Sequence, residues 1–470
     1  MCDTNRAHSV VEERPLCAVE RRGLRGGSAW GWKLVGALAA FLAMSVVAAW
    51  IEASYFGINV PGSISFPGND GWCQQSTQGF GVHCWGDYGA IQFHSLLDPP
   101  RGPEMVYPVS TRIGRIPFWI VGSMGGYRAG LAMFILISTL SMLFPALWAV
   151  RDLPLSLKPL FISLACVVTA PFLIMIDRGN MLALAAPALL VYLIGLVRAK
   201  PWLATSAIVL ASSVKPQFAI LGLALVALRL WLPALVAGLG SIAVTILPFF
   251  IFFHSQGVNL LETWITQSVA WSGSQPLGVD WPTNISLPRV VSKFSRGLGE
   301  MGSHIGIEFA GFGDGASVKL FIGIAIAVVV VLLFRGRRLH PLLLGTVFLV
   351  LACLASPISY AYYGFFLIPL LAVIFRLGPP AWPTKGHLNM LITSLMSVGM
   401  VLGLSPFLIP MSVVSASPAG SPIIVVSLFP VLSSVTWALL LVTATVKAVW
   451  PGANNYSVEE ASARGVADGG

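Results

Sequence analysis

Long apolar runs, separated by short polar connectors, make up most of this chain. A helix needs about 20 predominantly apolar residues to cross the hydrocarbon core of a bilayer. A further stretch at 116–124 is short and soon followed by Arg128, so we interpret it as interfacial. If the shorter runs also cross, twelve spans are predicted, at residues 34–51, 130–150, 159–176, 181–197, 202–214, 218–228, 232–253, 318–334, 339–355, 364–375, 388–409 and 423–446.

The composition agrees with a membrane protein, because 56% of the 470 residues are hydrophobic and only 10% are charged. We therefore expect an all-α polytopic membrane protein, a bundle of about 12 transmembrane helices with two long exterior loops. The formal net charge of +9 comes largely from basic residues beside apolar runs. Such residues orient membrane helices with the basic side in the cytoplasm, so the charge does not indicate a nucleic-acid partner.

Three regions are predicted along the chain. Residues 1–33 form a basic cytoplasmic leader, residues 34–449 the membrane domain, and residues 450–470 a polar, disordered cytoplasmic tail. Trp50-Ile51-Glu52 ends the first run where a small-residue cleavage site would stand, so we interpret this run as an uncleaved signal anchor. The short connectors are basic, as cytoplasmic turns are, which leaves the loops at 52–115 and 254–317 on the exterior.

The distribution of carboxylates favours one class of chemistry. The two long loops together hold ten of the chain's 19 acidic residues, whereas the predicted spans hold almost none. A proton-coupled transporter would place carboxylates in the middle of its spans. Long loops within a compact fold are usually functional. The pattern therefore favours an enzyme that acts at the exterior membrane surface on a lipid-borne substrate.

One lysine, Lys215, interrupts the apolar sequence between the two half-length runs 202–214 and 218–228. A charged group at membrane depth costs about 3 kcal/mol on insertion scales and is by default a functional-site hypothesis. Polar breaks in apolar segments are also where membrane proteins place ligand sites. The alternative is a structural lysine whose amine reaches the membrane surface.

Three groups of polar and aromatic residues in the exterior regions are candidates for chemistry, each with a simpler alternative. Asp87 lies between aromatic residues and is a candidate general base, or else a solvated acid or helix N-cap. Tyr362 and Tyr363 are candidate hydroxyl donors to a phosphate or sugar, or else part of an interfacial aromatic belt. Asp280 and Trp281 are candidate sugar-binding residues, with an interfacial tryptophan as the alternative.

Cys73 and Cys84 share the first exterior loop. We expect them to form a disulfide, since thiols so placed in an oxidising compartment pair readily; two free thiols are the alternative. No Asp-x-Asp pair, glycine-rich phosphate loop, Gly-x-Ser-x-Gly elbow or cluster with metal-ligand spacing is present in the sequence. We therefore predict no metal and no cofactor, and water-soluble nucleotide-sugar chemistry is disfavoured.

Several motifs occur in an order that resembles glycosyltransferase family 87, over roughly residues 34–375. They are the loop aspartate Asp87, then Tyr107-Pro108, then Arg178-Gly179-Asn180, then the Lys215-Pro216 break, and lastly the motif Ser-Pro-x-Ser-aromatic at 356–360. Members of this family are membrane enzymes of the GT-C fold that use polyprenyl-phosphate sugars to build mannosylated or arabinosylated envelope glycolipids in actinobacteria. The resemblance implies the same fold and activity here.

The resemblance also implies roles for individual residues. Asp87 matches the presumed base that deprotonates the acceptor hydroxyl, and Tyr107 and Asn180 match motif positions that we expect to bind substrate, together with Tyr362, Asp280 and Trp281. The late motif departs from the mannosyltransferase pattern Ser-Pro-x-Ser-Trp-x-His-His, because Tyr360 replaces the tryptophan and Tyr362-Tyr363 replace the histidines. A Tyr-Tyr pair before an apolar Leu-x-Pro segment looks more like the arabinofuranosyl-transferring members.

We thus expect an inverting single displacement with Asp87 as the general base and mannose or arabinofuranose as the sugar. A departing lipid phosphate needs cations, for which Lys215 is the first candidate, with Arg178, Arg112 and Tyr363 assisting. The expected partners are a polyprenyl-phosphate sugar donor, a glycolipid or polysaccharide acceptor and the lipid bilayer. We expect a monomer in the bacterial plasma membrane with its active site on the exterior face. A flippase or transporter of lipid-linked sugars is the alternative function.

Overall fold

The computed structural model describes residues 29–58, 60, 110–274, 285–292, 314–356, 359, 361–377, 387–405, 410–414 and 423–450. Within these segments the chain is almost entirely helical, apart from one antiparallel pair of strands. The elements are α1 (Ala29–Phe56), α2 (Ser110–Val150), α3 (Lys158–Ile162), α4 (Ala170–Arg178), α5 (Ala186–Val197), α6 (Pro201–Val214), α7 (Gly222–Ala227), α8 (Trp231–Phe253), α9 (Gly257–Ser274), α10 (Asp314–Arg335), α11 (Pro341–Leu354), α12 (Leu367–Leu377), α13 (His387–Leu404), β1 (Pro410–Val414), β2 (Ile423–Ser427) and α14 (Leu428–Val449).

The described residues contain six helices that are long and apolar enough to cross a membrane, and a seventh candidate is bent by 66° between Val167 and Ala170. Six further apolar helices are shorter than a span. The prediction of a helical multi-pass membrane protein is therefore confirmed, whereas helix length alone does not support a count of twelve crossings.

The two half-length runs around Lys215 run in opposite directions. Thr205 of α6 donates to the carbonyl of Pro233 in α8 (3.1 Å), and Ser241 of α8 donates to Ser212 of α6 (3.0 Å). The two contacts have nearly the same sequence offset, so α6 and α8 are parallel. The chain between them, residues 216–227, must return toward the start of α6. Lys215 therefore lies at the tip of a helical hairpin.

Basic connectors gather at one end of the bundle. Arg376 forms an ion pair with Asp152, and Arg151 and Arg198 also lie near enough to Arg376 to interact with it electrostatically. Lys447, at the end of α14, donates a hydrogen bond to Asn389 at the start of α13. We call this the basic end; the helix termini that carry Lys215 lie toward the opposite end.

Short helices occupy the centre of the bundle and long helices surround them. The central helices α5, α6, α11 and α12 have 12, 14, 14 and 11 residues. At a rise of 1.5 Å per residue they extend about 17–21 Å, well short of the roughly 30 Å hydrocarbon core. The long helix α1, with 28 residues, is mostly exposed along its length. From the basic end, α6 and α11 end inside the bundle, whereas α5 and α12 are extended by the 3₁₀ helices Met181–Ala185 and Ala361–Phe366. We call the interior region where these ends and extensions meet the recess.

Helix α2 consists of two helical segments, which we call its first and second legs, joined at a sharp turn. Gly126 has a φ of 77°, a left-handed conformation that glycine adopts at low cost, and here the helix reverses. Phe118 of the first leg contacts Phe134 of the second with ring centroids 5.2 Å apart. Sixteen residues of straight helix would separate these rings by about 24 Å. The segment 116–124 is thus folded back on the following leg.

Two sequence predictions of helix bounds are wrong. The run at 423–446 begins as a strand, since Ile423–Ser427 pairs with Pro410–Val414 and Val414 lies opposite Ile423. The β-branched residues Ile423 to Val426 favour a strand, and α14 starts only at Leu428. The run at 388–409 likewise ends as a helix at Leu404.

Candidate active site

The proline at position 216 explains why the helix ends at the lysine. A residue that precedes proline is disfavoured in the helical conformation, and proline itself lacks an N–H donor. Lys215 accordingly has extended backbone angles (φ −151°, ψ 120°), and Pro216 opens the 3₁₀ helix Pro216–Leu221. The 14 residues of α6 place Lys215 about 21 Å from the basic end, a distance shorter than the roughly 30 Å hydrocarbon core of a bilayer.

Lys215 contacts one of the predicted tyrosines directly. Its amine donates a hydrogen bond to the hydroxyl of Tyr363 and lies 4.7 Å from the centroid of that ring. Tyr362 stacks on Tyr363 with ring centroids 5.1 Å apart. The two tyrosines are only 4% and 2% exposed, so they are packed inside the bundle and do not form a lipid-facing aromatic belt.

A second chain break presents this tyrosine pair. Helix α11 ends at Leu354, and the 3₁₀ helix Ala361–Phe366 begins after the Ser-Pro-x-Ser motif. Ser359 is fully buried, and its hydroxyl donates to the carbonyl of Cys353 (2.9 Å). Lys215 is close enough to Cys353 to act on it electrostatically. The serine therefore holds the break against the helix end beside the lysine.

A third break lies at Gly179 and Asn180. Gly179 ends α4 in a left-handed conformation (φ 68°), and Asn180 accepts a hydrogen bond from the backbone N–H of Leu182 (2.9 Å). Through this hydrogen bond Asn180 caps the start of the 3₁₀ helix Met181–Ala185. The asparagine is only 2% exposed. Asp177, just before this break, is also buried, at 9% exposed.

The three breaks are neighbours in space. Helix α4 packs against the 3₁₀ helix Ala361–Phe366, and the 3₁₀ helix Met181–Ala185 packs against α6. A Cβ on Gly364 would lie only 3.1 Å from the Pro171 side chain, so glycine permits the close approach of the two segments. Lys215 and the Tyr363 hydroxyl therefore lie in the part of the bundle where these breaks come together.

A cation and a hydroxyl joined in this way suit an anionic ligand. While Lys215 donates to the Tyr363 oxygen, the tyrosine proton remains available for donation to a bound group. Hydrogen bonds of this kind are stronger in a low-dielectric recess than in water. The described residues contain no group of three or more His, Cys, Asp or Glu side chains that could hold a metal ion.

Two of the other predicted site residues lie in described helices. Arg178 is the last residue of α4, next to Gly179, and Arg112 lies in the first turn of α2. The first leg of α2 packs near Asn180, because Phe118 and Met181 share one apolar cluster. The predicted base, acceptor-binding and disulfide positions lie outside the described residues: Asp87, Tyr107, Asp280, Trp281, Cys73 and Cys84.

Two buried charged residues near these breaks had no role in the sequence prediction. Asp177 is the carboxylate that directly precedes the Arg-Gly-Asn motif, and its place directly after an apolar run was the available signal. Arg289 lies within the second long loop and is 9% exposed. No periodicity marks a buried arginine within a loop, so only the fold reveals it.

Comparison with known proteins identifies the family. The family model for glycosyltransferase family 87 matches residues 106–357, more than half of the chain. This range contains Lys215, Asn180 and the Tyr107-Pro108 motif, but Asp87 and the Tyr362-Tyr363 pair lie outside it. No curated protein and no solved structure matches the chain significantly. With its recessed polar breaks inside a helical membrane bundle, the chain belongs to glycosyltransferase family 87.

Proposed function

We propose that this membrane glycosyltransferase moves a sugar from a polyprenyl-phosphate donor to a glycolipid or polysaccharide acceptor of the cell envelope. The contact between Lys215 and Tyr363 carries the proposal. It joins a cation and a hydroxyl in the interior of the bundle, a pairing that suits the phosphate of a lipid donor whose tail lies among the helices. Mannose is the first sugar to test and arabinofuranose the second.

In the proposed reaction, Asp87 accepts the proton of the acceptor hydroxyl as that oxygen bonds to the anomeric carbon. The bond from the anomeric carbon to the phosphate oxygen breaks in the same displacement, so the anomeric configuration inverts. The departing polyprenyl phosphate gains a negative charge, which Lys215 and Tyr363 stabilise with Arg178 and Arg112. Tyr107, Asn180, Tyr362, Asp280 and Trp281 are the proposed contacts to the sugars.

We further propose that the recess opens to the exterior of a bacterial plasma membrane. The basic end carries Arg151, Arg198 and Arg376, and basic connectors face the cytoplasm. The opposite end, with Lys215 and both long loops, then faces outward. A donor delivered to the outer leaflet would reach the recess from the side of the bilayer.

The test is transfer by the purified protein alone. Detergent-purified enzyme is incubated with a radiolabelled synthetic polyprenyl-phosphate mannose or arabinofuranose and with envelope glycolipids, and products are separated by chromatography. Transfer by the wild type and its loss in Lys215→Met support the proposal. If no sugar is transferred but reconstituted protein moves the lipid-linked sugar across vesicles, the protein is a flippase and the proposal is wrong.

A further inference from the structure

A short segment of the second long loop, residues 285–292, contacts the candidate site. The backbone N–H of Ile285 donates to the carbonyl of Ser359 (2.7 Å), and the hydroxyl of Ser434 in α14 donates to the carbonyl of Ile285 (2.7 Å). Both backbone groups of Ile285 are therefore used, one toward the break that presents Tyr362 and Tyr363 and one toward α14.

The polar residues of this segment are buried on one face. Ser286 and Ser292 are fully buried, and Arg289 between them is only 9% exposed. The backbone N–H of Arg289 lies 3.4 Å from the Ser286 hydroxyl, at the start of a helical turn at 287–292. Positions three residues apart share a helix face. A guanidinium is almost never buried without groups that compensate its charge.

This arginine lies near the break that precedes the tyrosine pair. It is four residues from Ile285, which bonds to Ser359; Ser359 bonds to Cys353, and Cys353 interacts electrostatically with Lys215. The segment therefore brings a second buried positive charge near Ser359, in the break that precedes Tyr362 and Tyr363.

The charge balance of the proposed reaction calls for such a group. A polyprenyl-phosphate sugar is a phosphodiester with one negative charge. The leaving polyprenyl phosphate is a monoester, which carries about 1.5 to 2 negative charges at neutral pH. Lys215 can balance the first of these charges. Further cations stabilise the charge that develops as the bond to the sugar breaks, and the planar guanidinium suits two phosphate oxygens at once.

We propose that Arg289 is a further phosphate-binding cation of this site, in addition to Lys215, Arg178 and Arg112, and that it acts mainly on the leaving lipid phosphate. The inference rests on the proposed function, because it takes a lipid phosphate as the ligand. It adds a residue to the site that the family motifs did not supply. Loss of the Arg289 guanidinium is expected to lower kcat more than it raises KM for the donor. The reason is that the second negative charge on the lipid phosphate develops only as the bond to the sugar breaks.

The test compares Arg289→Gln with Arg289→Lys and with Arg376→Gln. Arg376 is a matched control, because it is a buried arginine (4% exposed) at the basic end, away from the recess. The affinity of each purified protein for polyprenyl phosphate and for the uncharged polyprenol is measured by calorimetry. Arg289→Gln is expected to weaken binding of polyprenyl phosphate about tenfold or more, with little change for polyprenol.

Further outcomes separate this inference from the proposed function. Arg289→Lys keeps the positive charge but loses the paired N–H donors of the guanidinium, so it is expected to show an intermediate loss of affinity for polyprenyl phosphate. If Arg289→Gln does not fold, Arg289→Lys is the variant that tests the inference. Arg376→Gln is expected to lower thermal stability without changing the preference for the phosphate. If both Arg289 variants bind polyprenyl phosphate as the wild type does, only the inference about Arg289 is overturned. If the wild type itself does not distinguish polyprenyl phosphate from polyprenol, the proposed function fails as well.

Discussion

Lys215 donates a hydrogen bond to the hydroxyl of Tyr363, which follows it by 148 residues in the chain. Each residue stands at a break in the helical structure, and each break would cost free energy if it faced lipid, because its backbone groups would lack partners. The two breaks meet in the interior, where the lysine and the tyrosine bond to each other. The result is a cation and a hydroxyl that are joined inside the bundle.

The pair should act as a unit in catalysis. Lys215→Met keeps the apolar stem and removes the charge, so kcat/KM for the donor should fall about 100-fold, as when one donor to a developing oxyanion is deleted. Tyr363→Phe should cost about tenfold. In the double variant the losses should not multiply, because the hydroxyl depends on the lysine for its position. The measurement is steady-state kinetics of the four proteins.

A matched control for the tyrosine is available in α5. Tyr192 is fully buried, and its hydroxyl has no hydrogen-bond partner among the described residues. Tyr192→Phe should leave transfer unchanged and should preserve or raise thermal stability.

Fully multiplicative losses in the Lys215 and Tyr363 double variant would show that the two residues act independently.

Asp87 should be essential for transfer. Asp87→Asn keeps the shape of the side chain and removes its capacity to accept a proton, which typically costs 10²–10⁴-fold. The variant should purify normally and still bind the donor. Asp98→Asn, a change in another acid of the same loop, should remain active. Retention of more than half of the wild-type rate by Asp87→Asn would remove it from the mechanism.

The ion pair at the basic end should respond unequally to the loss of its two partners. Arg376 has a side chain 3% exposed, donates to the carbonyl of Trp148 (2.9 Å) and pairs with Asp152, which is 44% exposed. Asp152→Asn should cost less, because the carboxylate is 44% exposed and the asparagine oxygen can still accept a hydrogen bond from Arg376. Arg376→Gln should cost several kcal/mol, because it also removes buried hydrogen bonds. Thermal unfolding in detergent tests the order, and equal losses would contradict it.

Cys73 and Cys84 should be joined in the mature protein. Closing a loop of this size stabilises a fold by about 3 kcal/mol in entropy models. Peptide mass spectrometry under non-reducing conditions should find the two residues in one linked fragment. Alkylation of both thiols without prior reduction would refute the bridge.

The orientation in the membrane can be tested with single cysteines in a background without native cysteines. Cysteines at Gly68 and Gly278 should react with an impermeant maleimide in intact cells, and one at Arg337 only after lysis. Arg337 is exposed, whereas its neighbour Gly336 is buried, where a Cβ would lie 3.0 Å from Ala227. Reaction of the Arg337 site in intact cells would invert the topology and remove Asp87 from the exterior.

The sequence by itself determined the membrane class, the positions of several breaks and the family. These features are local. Hydropathy identifies a span wherever it folds, Pro216 disfavours helix at Lys215, and Gly179 permits the left-handed turn before Asn180. Conversely, local patterns misjudged the run at 423–446, because membrane spans and strands can both be built from continuous apolar residues.

Only the tertiary structure decided which breaks meet. The contact of Lys215 with Tyr363, the attachment of Ile285 to Ser359 and the burial of Arg289 join segments far apart in the chain. Hydrophobic pattern selects which face of a helix is buried but not which helix covers it, since many partners bury similar apolar area. The short central helices, packed among longer ones, turn these separate polar breaks into one recess.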